Sequence, residues 1–286
     1  MTDDSNSSSD SESASDRAER AERARKVAKA WDDSAAADAW RGGYHPMGEI
    51  TRIPDGGWRD EADKKAILFR SIVLRGTLPT TVPKRAKVRW ESGDSLSRPM
   101  ESAKRAFGDL AGGNPTEGPY LTVTRVELGE MTVATTRGPA TVPAWMFTID
   151  GYDTPLKRAA AIASELPAPP VKRDGNVSGD PGDVVDRLVQ VSPGGRALTV
   201  VVSPAGACAD WAGADVLETS GSVVLSGFTE ERKKRKENDV CAKRDDGHQV
   251  TVKLDKPLGD RVLLDAVTGR PVPFKPQLGR RPISWS

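Results

Sequence analysis

The sequence is poor in the residues that build metal centres and histidine-based active sites. Its 286 residues include only two histidines and two cysteines. A structural zinc site uses four Cys or His ligands, so counting alone nearly excludes such a site as well as chemistry that needs several histidines. The composition therefore predicts a protein with no metal and no other cofactor.

An excess of charge and a long apolar run are also missing. The 42 basic and 41 acidic residues give a net charge of +1, whereas a dedicated nucleic-acid binder normally carries a large basic excess. No stretch approaches the ~20 apolar residues that a membrane span needs, and no signal-peptide hydrophobic region follows Met1. We therefore expect no nucleic-acid partner and no transmembrane segment in this chain.

The first half of the sequence consists of a polar segment followed by a region with helix and strand patterns. Residues 1–16 contain seven serines and five acids, too polar to offset the entropy of ordering, and they are predicted to be a disordered acidic tail. From residue 17 to residue 165, segments with helical spacing and hairpins with period two are segregated and do not alternate, which favours α+β over a doubly wound parallel sheet. This stretch is predicted to be an α+β domain with an antiparallel sheet. Its predicted helices lie at 17–31, at 35–40, up to Phe69 with Asp60 as the cap, and at 100–110, and its predicted strands lie within 71–75, 87–90, 121–136 and 141–149.

A linker and a β-rich region follow. Leu166–Asp183 holds four prolines and three glycines, a composition typical of domain boundaries. Short runs of Val and Leu separated by turn residues recur between residues 184 and 286, and they predict strands at 187–191, 197–203, 222–228, 249–254 and 261–264. The predicted fold is therefore an α+β N-terminal domain (17–165), a linker (166–183) and an all-β sandwich or barrel-like C-terminal domain (184–286).

Both cysteines fall in the predicted β domain. Cys208 and Cys241 are 33 residues apart, and a disulfide between them would close a loop worth roughly 3–4 kcal/mol in the chain-entropy model. An even cysteine count within one small β domain favours this bridge, which would indicate an oxidising compartment. Two reduced, buried thiols are the alternative.

Three segments carry a resemblance to known proteins: AWDDSAAADAWRGGYHP at 30–46, GPATVPAWMFTIDGYDTPL at 138–156 and PLGDRVLLDAVTGRPVP at 257–273. They resemble uncharacterised lipoproteins and secreted proteins of high-GC actinobacteria. In that group a lipobox cysteine precedes a Ser/Asp-rich linker similar to residues 2–16, and the folded part lies outside the membrane. The resemblance implies a cell-envelope or extracellular location and no particular reaction, although this sequence has neither the lipobox nor a leader; a cytoplasmic location is the alternative.

One pair of short motifs suggests an enzyme. Gly93–Leu96 resembles the nucleophile block of GDSL-type serine hydrolases, and Asp245–His248 fits the Asp-x-x-His block of that family. The resemblance implies Ser95 as nucleophile, His248 as base and Asp245 as the group that orients it. The preceding strand alternates charged and apolar residues, unlike the buried parallel strand of those hydrolases, and this pattern favours a hairpin turn at Ser92–Ser95.

A run of five cations, Arg232, Lys233, Lys234, Arg235 and Lys236, is the candidate for an anionic contact. It can meet phosphates, anionic lipid headgroups or an acidic cell-wall polymer, or it is a solvated connection between strands. Together these features predict a non-enzymatic protein of the cell envelope that binds another protein or a cell-wall polymer. A GDSL-like serine hydrolase and a cytosolic partner-binding protein, which recruits its partner through the acidic tail and first helix, are the alternatives.

Overall fold

The computed structural model describes residues 14–80, 83–112, 118–171, 183–204, 211–230 and 247–274. The chain divides into two compact units. In the described residues, unit 1 combines 14–41 with 166–274, and unit 2 is the continuous stretch 42–165. Most of the regular structure is β, with several sheets and a small number of helices.

Four helices and thirteen strands are found in the described stretches. They are α1 (Ala14–Trp31), α2 (Ala35–Gly42), β1 (Thr51–Arg52), α3 (Glu61–Leu68), β2 (Ile72–Leu74), β3 (Arg85–Trp90), β4 (Ser95–Pro99), α4 (Ala103–Leu110), β5 (Leu121–Thr135), β6 (Gly138–Ile149), β7 (Leu156–Ala159), β8 (Val184–Val191), β9 (Ala197–Ser203), β10 (Trp211–Glu218), β11 (Ser222–Glu230), β12 (His248–Lys253) and β13 (Val262–Asp265).

The two helices inside unit 2 begin at side-chain caps. The carboxylate of Asp60 accepts a hydrogen bond from the backbone N–H of Asp63 at 2.8 Å, and α3 starts at the next residue. Ser102 caps α4 in the same way, through the N–H of Arg105 at 3.3 Å. Such caps satisfy backbone donors that have no partner within the helix, and the cap predicted at Asp60 is confirmed.

The sheet of unit 2 is built around one long antiparallel hairpin. β5 and β6 pair along nearly their whole length, and β6 is flanked on its other edge by β7 and β3. The two ends of β6 bury opposite faces. Trp145 and Phe147 pack against a core that includes helices α3 and α4, whereas Ala140 and Val142 pack with Trp90 in a second core.

Unit 1 contains two three-stranded sheets, β10-β11-β13 and β12-β9-β8. β11 pairs with β13 in parallel and with β10 in antiparallel register. The sequence patterns predict the other strands of these sheets but not β10, whose residues Ala212, Gly213 and Ala214 have low strand propensity. The structure compensates for Gly213, because the Phe228 ring of β11 covers the space that a side chain would occupy.

Helices α1 and α2 belong to unit 1 and not to the region 42–165 that follows them in the sequence. Val27 and Trp31 are fully buried in a core that includes Val224 and Val262 of the β-sheet. This division differs from the predicted 17–165 domain. The apolar stripe of α1 identifies a buried face, but its period carries no information about which sheet covers that face.

The predicted tail and linker are described only in part. Residues 14–16 of the predicted tail are already helical in α1, and residues 1–13 lie outside the described residues. Unit 1 resumes at Leu166, the first residue of the predicted linker. Val171 is buried in the same core as Trp31, and residues 172–182 lie outside the described stretches.

Candidate functional site

The structure places two residues of the predicted hydrolase site in different units. Ser95 is the first residue of β4 in unit 2, and His248 is the first residue of β12 in unit 1. Asp245, the two cysteines Cys208 and Cys241, and the cation run at 232–236 all lie outside the described residues. The hydrolase alternative and the proposed disulfide therefore stay predictions.

Ser95 follows a tight turn between two antiparallel strands. The carbonyl of Asp94 accepts a hydrogen bond from the N–H of Trp90 at 3.0 Å, and Gly93 adopts a φ of 94°. The Asp94 carboxylate binds the Arg137 guanidinium at 2.7 Å. The Gly-Asp-Ser stretch thus closes the β3–β4 hairpin, the geometry that the hairpin interpretation of the sequence expects.

This hairpin presents a row of cations to solvent. Arg85, Lys87 and Arg89 occupy alternate positions of β3 and are all exposed. Side chains two residues apart on a strand share one face of the sheet. Ser97 lies opposite Lys87 and Ser95 opposite Arg89 on the paired strand β4. We call these five residues the basic face.

The cations of the basic face differ in how firmly they are held. Arg85 donates to the hydroxyl of Ser97 at 3.2 Å and to its backbone carbonyl at 2.8 Å. Arg89 pairs with Glu130 at 2.6 Å, with both side chains about half exposed. Among the described residues, Lys87 has no carboxylate within ion-pair distance. An exposed pair such as Arg89–Glu130 is worth at most about 1 kcal/mol, so an incoming anion can compete for it.

The opposite face of the same strand is anchored in the core. Val88 and Trp90 are buried, and the Trp90 indole N–H donates to the Thr135 hydroxyl at 3.0 Å. The Arg137 guanidinium stacks over the Trp90 ring, 4.0 Å from its centroid. Strand β3 is therefore held on one side while its cations point away on the other.

The electrostatics of the hairpin favour an extended anion. Residues 83–99 include five basic and two acidic side chains, a local net charge of +3. Alternate residues of a strand are about 6.8 Å apart, so the three cations of β3 form a line and not a pocket. Such a row can contact successive negative groups of a linear polymer, and the serine hydroxyls beside it can donate to the same groups.

Sequence reasoning did not select Arg85, Lys87 and Arg89 as site residues. The signal was present, because the segment RAKVRW alternates cations with apolar residues. That alternation also distinguishes β3 from the buried apolar strand that precedes the nucleophile of GDSL-type hydrolases. Cations at i, i+2 and i+4 of a half-buried strand fall on its solvent face, and this rule would have found them.

A second charged cluster in unit 2 is buried and structural. The Arg158 guanidinium binds the Glu101 carboxylate at 3.3 Å and the Asp109 carboxylate at 2.7 Å. Burial raises the pKa of Glu101 above its ordinary value, although the positive charge of Arg158 opposes this. The cluster ties α4 and the residue before its cap to β7. Nowhere in the described stretches do three or more His, Cys, Asp or Glu side chains form a group suited to a metal ion.

His45, the histidine of unit 2, is unsuited to act as a general base at the surface. It is 4% exposed, and burial, with a smaller effect from the charge of Arg98, lowers its pKa to about 4. The adjacent Tyr44 is completely buried, and burial raises the pKa of its hydroxyl. Both side chains are therefore neutral near pH 7, and they belong to the core.

Comparison with known proteins adds no family to this geometry: no family model, curated protein or solved structure matches the chain. In the part of the chain that the structure describes, every helix is too short or too polar to cross a lipid bilayer.

Proposed function

We propose that the protein is a non-enzymatic binding protein of the cell envelope, and that unit 2 contacts an anionic cell-wall polymer through the basic face. The observation that carries this proposal is the row of three exposed cations on β3, anchored from behind by Trp90. A row with the spacing of a strand suits a linear chain of negative groups better than a single compact anion.

The envelope location draws support from the strand ends next to the two cysteines. Cys208 lies in the β9–β10 connection and Cys241 in the β11–β12 connection. Trp211, the first residue of β10, pairs with Glu230, the last residue of β11. Val202 near the end of β9 pairs with His248 at the start of β12. The β9–β10 connection therefore starts beside the end of the β11–β12 connection, and it ends beside the start of that connection. This proximity favours a Cys208–Cys241 disulfide and an oxidising compartment.

The finer architecture of unit 1 belongs to the same proposal. Strand β8 of one sheet contacts β11 and β13 of the other, and the Asp265 carboxylate on β13 accepts a hydrogen bond from the Val185 N–H on β8 at 3.0 Å. Buried side chains at Val223 and Leu225 alternate with Val224, which faces the helices. These contacts support a β-sandwich in which helices α1 and α2 cover the outer side of one sheet.

Binding to poly(glycerol phosphate) tests the function. The triple variant Arg85→Gln/Lys87→Gln/Arg89→Gln should weaken binding about tenfold or more and should reduce its dependence on salt, because fewer counterions are released. The matched control is Lys64→Gln/Lys65→Gln/Arg75→Gln, which removes three exposed cations of the same unit outside the hairpin. This control should bind nearly as well as the natural protein.

Two results would overturn the proposal. An equal loss in both triple variants would show that only the net charge matters, and absence of binding at low salt would remove the polymer as partner. The variant Ser95→Ala should label with a fluorophosphonate no less than the natural protein does. Labelling that depends on Ser95 would instead establish a nucleophilic serine.

A further inference from the structure

Unit 1 contains a cavity that the proposed polymer contact does not use. Its volume is about 530 Å³, within the range of roughly 300–1,000 Å³ that is usual for small-molecule sites. Every residue that lines it belongs to unit 1. The lining comes from two stretches, 166–169 and 265–273, that face the first residues of β8.

The wall of this cavity is largely apolar and stiff. Four prolines contribute to it, Pro167 and Pro169 from one stretch and Pro271 and Pro273 from the other. A proline ring fixes its own φ and carries no backbone N–H. This part of the wall therefore offers apolar ring surface without a backbone donor, and it loses little conformational freedom when a ligand enters.

Asp265 is a buried carboxylate of the cavity wall whose hydrogen bonds stabilise the fold. Asp265 is 2% exposed, and one of its oxygens accepts from the Val185 N–H at 3.0 Å. Its other oxygen accepts from the N–H of Thr268 at 2.7 Å and from the hydroxyl of the same residue at 2.6 Å. These bonds hold the turn that follows β13, and they leave little capacity for a ligand.

The remaining charged groups point to the kind of ligand. Asp186 is exposed and pairs with the neighbouring Arg187 at 2.7 Å. Arg270 is exposed as well, and in the described stretches its guanidinium has no carboxylate partner. The charge that is open to a ligand is thus a cation at the edge of an apolar cavity.

We propose that this cavity binds a small organic carboxylate, with its apolar body against the proline rings and its carboxylate paired with Arg270. A guanidinium can donate two parallel hydrogen bonds to one carboxylate, which fixes the orientation of the head group. The apolar part of the wall covers one side of the ligand, and burial of that apolar surface is the main source of affinity. This site goes beyond the polymer contact, because it lies in the other unit and uses different residues.

Calorimetry with decanoate, decanol and decyltrimethylammonium tests this site on the full chain. The three probes share an alkyl chain and differ in the charge of the head group. Decanoate should bind most tightly, and Arg270→Gln should weaken it by about tenfold or more, since hydrogen bonds to charged groups are among the stronger ones. Lys253→Gln, which removes an exposed cation of unit 1 outside the cavity, should leave decanoate binding unchanged.

A variant that fills the cavity separates a true site from a surface charge effect. Ala168 lines the cavity and is exposed, so Ala168→Trp should block decanoate without unfolding unit 1, as hydrogen exchange would verify. Equal affinity for the three probes, or unchanged decanoate binding by Ala168→Trp or Arg270→Gln, would overturn the inference. The triple variant of the basic face should bind decanoate normally, so this site and the polymer contact can fail independently.

Discussion

The two units reach a closed core by different routes. Unit 2 is one continuous stretch, and its main sheet grows from hairpins between neighbours in the sequence, β3–β4 and β5–β6. Unit 1 joins two distant stretches: the indole N–H of Trp31 donates to the carbonyl of Gly269, 238 residues further along the chain, at 2.8 Å. Local patterning predicts the hairpins of unit 2, whereas the core of unit 1 depends on a contact between distant stretches that no local pattern encodes.

Removal of the indole that closes unit 1 should have the largest effect. Trp31 is completely buried between helix α1 and the β-sheet, so Trp31→Ala should lower the free energy of unfolding of unit 1 by about 3–5 kcal/mol. Denaturant titration monitored by hydrogen exchange measures the loss for each unit separately. Protection should fall in peptides from 183–204, 211–230 and 247–274, while peptides from 42–80 and 118–165 keep theirs.

The control for this variant lies on the same helix. Lys29 is exposed, and Lys29→Ala should change the stability of unit 1 by no more than about 0.5 kcal/mol. If Trp31→Ala lowered protection equally in both units, the two cores would unfold together. The two units would then not have separate free energies of unfolding.

Reduction of the proposed disulfide should have the next largest effect, again confined to unit 1. Opening a loop of this length removes roughly 3–4 kcal/mol in the chain-entropy model. Thiol labelling of natively isolated protein under denaturing conditions should find no reactive cysteine until a reductant is added. Two free thiols before reduction would contradict both the bridge and the envelope location. The single variants Cys208→Ser and Cys241→Ser should each lower the free energy of unfolding of unit 1 by as much as the double variant does.

Strands in this chain were predictable where apolar side chains dominate. The run Ala197–Ser203 predicts β9 at its observed bounds, because four of its seven residues are Val or Leu, which suits a strand buried on both faces. β10 was not predictable, since Gly213 becomes a strand residue only when Phe228 covers it. The packing of α1 in unit 1 was not predictable either, because it depends on the shape of a sheet more than 180 residues further along the chain.

The candidate sites also differ in how far the sequence alone predicts them. The alternation of Arg85, Lys87 and Arg89 predicts the three cations of the basic face, because strand geometry alone turns every second residue outward. The Gly-Asp-Ser string predicts a catalytic serine only by resemblance, and the structure places it in an antiparallel hairpin. The cavity of unit 1 was not predictable, since its prolines come from stretches about 100 residues apart that meet only in the folded chain.

Low pH should lower the free energy of unfolding of unit 2 through its single histidine, by less than the Trp31 and disulfide changes lower that of unit 1. Burial lowers the pKa of His45 to about 4 in the folded chain, against about 6.5 when the chain is unfolded. Between these values the unfolded chain binds the proton and the folded chain does not, so stability falls as the pH is lowered from 6.5 to 4. The loss approaches about 3 kcal/mol at 1.36 kcal/mol per pH unit.

Substitution of each histidine in turn compares the pH dependence of the two units, because His45 lies in unit 2 and His248 in unit 1. Unfolding free energies between pH 7 and pH 4 should fall less steeply in His45→Gln than in the natural protein, with the difference confined to peptides of unit 2. The matched variant His248→Gln should follow the natural protein in unit 2. Carboxylates titrate in all three proteins, so their effects cancel in the difference. An unchanged slope in His45→Gln would mean that His45 takes up its proton equally in both states, and that its burial costs the folded chain nothing at low pH.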